Sequence, residues 1–308
     1  MELIRGLHNL KNQTGCALTI GNFDGVHIGH QEIIKKLVST AKNLNVPSLV
    51  VSFSVTPESF FGRPKARLSS FRDKHLYLKS LGVDKHLLIR FNGEFSQISA
   101  QSFIDDVLVK KIKVKYCYVG DDFRFGKDRL GDCAMLQEHS VGHGFTVERV
   151  ASVSIDNKRV SSSAIRKLLS LGDFQTAEKL LGRPFAISGR VAHGDKQGRT
   201  IGFPTANISI RRKLSPVLGV FSVLIKINNI NYKGVCNVGK RPTLGGLKVL
   251  LEVFIFDFNQ EIYGGYVTVF FKQKCREEIK FNSLEELKNQ IKEDVKDSKQ
   301  YFKDARIN

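Results

Sequence analysis

Residues 21–30 read GlyAsnPheAspGlyValHisIleGlyHis, and this decapeptide limits the fold more than any other stretch of the chain. It follows an apolar run, Cys16 to Ile20, and precedes Gln31 to Leu44, where Ile33, Ile34, Leu37, Val38, Ala41 and Leu44 recur with the period of an amphipathic helix. The decapeptide therefore joins a strand to a helix. Gly21 and Gly25 let the backbone come close to a ligand, and the unpaired amides of a helix N-terminus favour an anion. His27 and His30 stand about one turn apart, so both imidazoles can donate to one phosphate chain as charge develops on its oxygens. The segment reads as a phosphate seat.

The chain of 308 residues has room for two domains with separate cores. With 42% hydrophobic and 25% charged residues it has the composition of a globular protein, and no apolar run is long enough to span a bilayer. The first eleven residues show no secretory signal, which predicts a cytoplasmic protein. Five cysteines (Cys16, Cys117, Cys133, Cys236, Cys275) without a CxxC pair predict buried free thiols. The formal charge of +18 would suit nucleic acid, but it is divided evenly between the two halves, with no basic tail and no arginine–aromatic run. A diffuse positive field serves equally to attract a small polyanion such as ATP. Neither a nucleic acid nor a membrane is expected as a partner.

Strand and helix alternate through the first half. Strands are expected at 48–53, 85–91, 116–119 and 145–153, and helices at 69–81 and 99–112. Repeated βα units imply a parallel sheet covered by helices on both faces, with ligands at the carboxyl ends of the strands. A helix-rich connector, 162–181, leads to a boundary near Arg183. Beyond it the chain turns to period-two strands: Phe221 to Ile227, AsnAsn at 228–229 and Ile230 to Val235 form a hairpin, followed by strands at 247–258 and 266–272. Leu284, Leu287, Ile291 and Val295 follow Ser283, with Glu286 completing a capping box, so one helix closes the chain. The expected architecture is α/β plus β: a Rossmann-like domain over 1–183 and a compact antiparallel β-barrel with a terminal helix over 184–308.

Two further segments of the first half carry donors and aromatics, GlyAspAspPheArgPheGly (120–126) and ArgValSerSerSerAlaIleArg (159–166). With the decapeptide they resemble the nucleotidylyltransferase (adenylyltransferase) module of bacterial bifunctional riboflavin kinase/FAD synthetases. The resemblance continues through ArgThrIleGlyPheProThrAlaAsn (199–207) after Gly189, Gly194 and Gly198. It extends over GlyValPhe (219–221), AsnValGlyLysArgProThr (237–243), GluValPheIlePheAspPhe (252–258) and TyrGly (263–264), which match the riboflavin kinase module in order and spacing.

The resemblance implies two reactions, riboflavin plus ATP giving FMN, and FMN plus ATP giving FAD and pyrophosphate. In the first module it places ATP across Gly21, Asn22, Phe23, Asp24 and Gly25, with His27 and His30 on its phosphates. Arg159, Ser162, Ser163 and Arg166 receive the departing phosphates. Phe53, Pro57, Asp122, Phe123 and Phe125 approach the flavin. In the second module Gly194, Gly198 and Pro204 belong to the loop over ATP, Thr205 and Asn207 supply oxygens to Mg²⁺, Arg241 meets the flavin and Glu252 is the base for the ribityl hydroxyl. Thr and Asn oxygens suit an ion that keeps few protein ligands. On a strand, Glu252 shares its face with Leu250 and Phe254, an apolar setting that favours a proton acceptor. Two departures stand out: the chain has PheSerValThrPro at 53–57 where the family reads PhexProxPro, and Phe254 where it commonly has histidine.

Two other readings stay open from the residues alone. The barrel could be a flavin-binding or regulatory module, against which stand Glu252, Thr205 and Asn207 together. A tRNA-charging or RNA-binding protein could also use the histidine motif, but the chain lacks a LysMetSerLysSer-like loop and is short for a synthetase.

Overall fold

The computed structural model describes residues 1–11, 13–193, 202–210, 212–243 and 246–306. The chain divides into two compact units, Met1–Lys65 with Phe71–Ser162, and Ala66–Ser70 with Ser163–Asn308.

In the first unit, strands β1 (Glu2–Arg5), β2 (Cys16–Ile20), β3 (Ser48–Val55), β4 (Lys85–Arg90), β5 (Val114–Gly120) and β6 (Thr146–Val150) form one sheet in the order β1-β4-β3-β2-β5-β6. Every pairing in it is parallel. Helices α1 (Ile28–Asn43), α2 (Pro57–Phe60), α3 (Phe71–Ser80), α4 (Gly93–Ser96), α5 (Ala100–Ser102, continuing as π-helix through Phe103–Ile112) and α6 (Cys133–His143) connect the strands. A short hairpin, β7 (Ser154–Ile155) and β8 (Lys158–Arg159), follows β6.

Alternation along the strands feeds two cores. Leu18, Leu49 and Leu87 pack with Ile104, Leu108 and Leu136 on one face. Ala17 and Val50 pack with Ile34, Leu37 and Leu78 on the other. Helices thus cover both faces, as the apolar pattern implies. From β2 the chain moves to β3 on one side and later returns to β5 on the other, so the switch point of the sheet lies at the end of β2, where the decapeptide begins. Strand β1 and helix α6 were not expected. The strand is four residues long, and α6 leaves Val141 86% exposed, so its apolar residues do not trace one face. Its ends were nonetheless written in the sequence: Asp132 accepts from the Met135 N–H and Gly144 closes the helix at φ 67.

The second unit opens with α7 (Ser162–Leu171) and α8 (Phe174–Leu181). Strands β9 (Ala186–Ala192), β10 (Thr205–Ser209), β11 (Gly219–Ile227), β12 (Ile230–Thr243), β13 (Gly246–Ile255) and β14 (Tyr266–Arg276) close into a barrel of antiparallel pairs, and α9 (Leu284–Asp304) follows. The AsnAsn turn is the hairpin expected, with both residues in the left-handed region, φ 47 and φ 68. Gly189 serves closure: a Cβ there would lie 2.7 Å from the Ser209 carbonyl of β10. The connector packs on the barrel, since Phe174 of α8 meets Phe221 and Phe271 with ring centroids 5.8 and 5.9 Å away. All five cysteines are free thiols, four of them buried, and burial pushes Cys16 up to about 12.

Candidate active sites

His27 is the N-cap of α1. Its Nδ1 accepts the His30 backbone N–H at 3.4 Å, so the neutral ring carries its proton on Nε2. The two imidazoles stack, centroids 3.6 Å apart and planes 16° from parallel. Charging both rings at this separation is costly. Burial, with His27 and Lys74 nearby, holds His30 well below the usual histidine range. His30 is half-buried, and its Nδ1 is enclosed and without a hydrogen-bond partner, as is Asn22 Oδ1. Both orphaned polar atoms lie in the decapeptide, a segment expected to receive phosphates, and a ligand is an ordinary way to satisfy such groups.

The turn between β2 and α1 is strained. Phe23 and Val26 adopt φ 46 and φ 39, disfavoured for residues with a Cβ and most of all for a β-branched one, while Gly25 takes φ 80 without cost. The Phe23 side chain is core, 2% exposed and edge-on to His30, so only its backbone can face a nucleotide. Gly21 donates to Val51 O at 3.1 Å, and the Asp24 carbonyl accepts from Ser162 Oγ at 3.0 Å. Ser162 is thereby held against the decapeptide. Arg159 reaches Asp122 Oδ2 at 3.2 Å, joining the two segments expected to act together. Ser163 and Arg166 belong to the second unit, where Arg166 Nε donates to Ala66 O at 2.6 Å.

Phe53 and Phe125, far apart in sequence, are linked by a continuous aromatic row. Phe53 contacts Phe91 and Phe95 at 6.1 and 6.0 Å, Phe95 contacts Phe103 at 6.3 Å, and Phe103 contacts Phe125 at 5.2 Å, with Phe123 at 5.6 Å beyond. Phe60 and Phe61 extend it from Phe91 into solvent, 40% and 62% exposed. Pro57 stands at the first turn of α2 behind the Thr56 cap, so PheSerValThrPro starts a helix here.

In the barrel unit a cavity of about 610 Å³ is lined by Thr205, Asn207, Arg241 and Glu252 among others. Asn207 of β10 is in register with Glu252 of β13, which is in register with Asn237 of β12. Three polar side chains therefore stand in one row across three strands. Alternation sends Leu251 and Val253 into the core, 1% and 0% exposed, and leaves Leu250, Glu252 and Phe254 to line the cavity. Pro204 is exposed beside Thr205; Gly194 and Gly198 lie outside the described residues.

Helix α9 has a different role from the one its apolar stripe predicts. Leu284, Leu287 and Ile291 line the cavity, with Leu284 71% exposed, while Asp294, Ser298 and Phe302 are the buried face. Asp294 takes a two-pronged bond from Arg276 at 2.8 and 2.7 Å, and Ser298 Oγ donates to Ser222 Oγ at 2.8 Å. Polar groups dock this helix because β11 and β14 offer it partners that no periodicity reveals.

The FAD synthetase family model matches residues 9–164 and the riboflavin kinase model residues 181–302. A Haemophilus influenzae protein described as bifunctional riboflavin kinase/FMN adenylyltransferase is 48% identical over 98% of this chain and 99% of its own. One of the same description from Escherichia coli K12 is 45% identical, covering 98% of each. This chain belongs to the bifunctional riboflavin kinase/FMN adenylyltransferase family. A Streptococcus pneumoniae crystal structure described as a macrolide-efflux protein has the same fold, with 31% identity and a TM-score of 0.79 over 96% of this chain and 97% of that one. No helix among the described residues is long and apolar enough to cross a membrane.

Sequence reading for a riboflavin kinase/FMN adenylyltransferase overlooked several residues that the structure places beside the two candidate sites. Asn237 completes the row with Asn207 and Glu252 but was only part of a longer match. Arg276 and the α9 leucines line the cavity from a segment read as structural. Lys74 is the clearest omission: it occupies a core position of α3, 8% exposed, and donates to the Asn22 carbonyl at 2.9 Å. The signal was available, since Lys74 lies four residues before Leu78 on the buried stripe of that helix.

Proposed function

We propose that residues 1–183 carry the FMN adenylyltransferase of this bifunctional enzyme and residues 184–308 its riboflavin kinase. The observation that carries the division is that each half holds its own group of donors and acceptors, the stacked histidines at a helix N-terminus and the Asn207–Glu252–Asn237 row in a cavity with an apolar wall.

In the kinase half the ribityl 5′-hydroxyl gives its proton to Glu252 as its oxygen attacks the γ-phosphorus of ATP, and ADP leaves. The apolar wall of Leu284, Leu287 and Ile291 suits the isoalloxazine ring, and Arg241 its polar edge. Thr205 and Asn207, two apart on β10 and both lining the cavity, fit Mg²⁺ as oxygen donors. No group of three His, Cys, Asp or Glu among the described residues could hold a metal, so the ion would rely on phosphate oxygens for the rest of its shell. Bound there, Mg²⁺ would neutralise phosphate charge.

In the adenylyltransferase half a phosphate oxygen of FMN attacks the α-phosphorus of ATP, the bond to the bridging oxygen breaks, and pyrophosphate departs. His27, with its proton on Nε2, and the first amides of α1 donate to oxygens that gain charge in that step. Arg159 and Ser162 receive the leaving group and Asp122 holds Arg159, while Phe125 is core, 7% exposed, so that the flavin ring meets the half-buried Phe53 and Phe123 at the two ends of the row. ATP as co-substrate and a full set of free thiols suit the cytoplasm.

The test is incubation with riboflavin, ATP and Mg²⁺, with FMN and FAD resolved over time. FMN should rise first and FAD after it, and FMN supplied directly should yield FAD alone. Riboflavin left unphosphorylated by a folded protein sinks the kinase reading, and FMN left unadenylylated sinks the other.

A further inference from the structure

A buried ammonium is expensive, and the first unit holds one on the same face of the sheet as the decapeptide. Lys74 takes a place on α3 that the helix period reserves for an apolar residue, with Leu78 one turn on fully buried in the core. A leucine at this position would pack at no electrostatic cost. What the lysine adds is a bond of 2.9 Å from Nζ to the carbonyl of Asn22. Asn22 lies between the end of β2 and Phe23, the first of the two residues at strained backbone angles. Its side chain is also engaged, Nδ2 donating to Glu58 Oε2 at 3.3 Å. The strained turn is therefore gripped by α3 through its backbone and by α2 through a side chain.

Strain of this kind persists only where neighbours over-determine the conformation. Here the conformation decides where the chain enters α1, and hence where the stacked His27 and His30 stand. We propose that Lys74 is a positioning residue for adenylyl transfer: by holding the Asn22 carbonyl it fixes the turn that presents His30 and the α1 amides to the nucleotide phosphates. Its charge acts in the same place, lowering the proton affinity of His30 alongside burial and His27. The charged and titratable groups on this side of the site include Asp24 in the turn, His27 at the cap of α1 and His30 on it, Lys74 and His75 on α3, His86 on β4, and Glu58 on α2 with Lys65 paired to it. The inference rests on the adenylyltransferase reading of the first unit.

The experiment uses the full chain, whose kinase serves as an internal reference. Lys74→Met keeps most of the stem and removes the donor and the charge. It should lower kcat for FAD formation from FMN and ATP by roughly a hundredfold, the scale of a small misplacement of reacting groups. KM for ATP should move less than about threefold, and riboflavin phosphorylation less than about twofold. The acid limb of the FAD-forming pH profile should shift to higher pH, because a charge opposing protonation of His30 is gone. Lys74→Arg, which keeps a charged donor, should recover most of the rate. An unchanged kcat in Lys74→Met, or a loss confined to KM, overturns the proposal. If Lys74→Met loses hydrogen-exchange protection of the parallel sheet, Lys74→Arg decides alone, and a protected Lys74→Arg enzyme with FAD formation reduced a hundredfold or so overturns it. A wild-type chain that makes no FAD would instead sink the adenylyltransferase reading.

Discussion

In the first unit the proposed site residues come from a turn that leaves β2 through two left-handed non-glycine residues and from the N-terminus of α1. In the barrel, Asn207, Glu252 and Asn237 stand in ladder register on three neighbouring strands. The first arrangement exposes backbone amides, which regular structure would consume, and it must be held by groups outside the turn such as Lys74 and Glu58. The second exposes side chains only, and the sheet itself holds them. A phosphate-binding turn should therefore lose stability and activity together when its supports are cut. A strand site should lose activity alone.

Glu252→Gln tests the strand half of this contrast and should have the largest effect. Riboflavin phosphorylation should fall by roughly 10²–10⁴ because the proton acceptor is gone while the shape is kept. Adenylylation of FMN and the melting temperature should stay near wild type; a folded variant that still phosphorylates riboflavin at full rate removes Glu252 from the mechanism.

His27→Ala and His30→Ala test the turn. Each should slow FAD formation by roughly 10²–10³ with riboflavin phosphorylation unchanged. They should differ in stability, because only His27 caps α1, and its loss should cost about 1 kcal/mol more than that of His30. Equal melting of the two variants would refute the cap.

Cutting the chain probes where each site ends. Residues 184–308 should phosphorylate riboflavin without making FAD, but they lack Phe174, which is 5% exposed against Phe221 and Phe271. A fragment beginning at Ser163 should be more stable by about 3 kcal/mol or more, the cost of emptying a buried phenylalanine site. Equal denaturant midpoints would show that α8 contributes nothing to the barrel.

The last effect is one of pH, and it should be confined to the first unit. Burial holds His86 at about 3, its Nε2 2.7 Å from Ser52 Oγ and its Nδ1 3.1 Å from His75 Nδ1, and His30 and His75 are also lowered. The unfolded chain binds these protons near pH 6.5 and the folded chain does not. Stability is therefore whole above that pH and falls as pH drops toward 3, by about 1.4 kcal/mol per pH unit for each fully buried histidine. His86→Gln should flatten the decline; a decline of the same slope would assign it to other groups.

The α/β character of the first half, the hairpin at AsnAsn and the closing helix were legible because each depends on local rules: periodicity, turn chemistry and capping. Less visible were β1, whose four residues carry too little pattern, and α6, whose caps were plain but whose faces were not. The pairing of Asn207 with Glu252 and Asn237, and the meeting of Phe53 with Phe125, are matters of register and strand order, which link residues far apart in the chain. Helix α9 makes the same point from its stripe, since an apolar row looks alike whether it faces a core or a ligand cavity. Sequence alone thus determined which chemistry the chain carries and roughly where each element lies. Only the tertiary structure decided that Lys74 should grip Asn22, that the α9 leucines should line a cavity and that Asp294 should dock the helix. A side chain's surroundings are set by whatever packs against it, and the local pattern is blind to that.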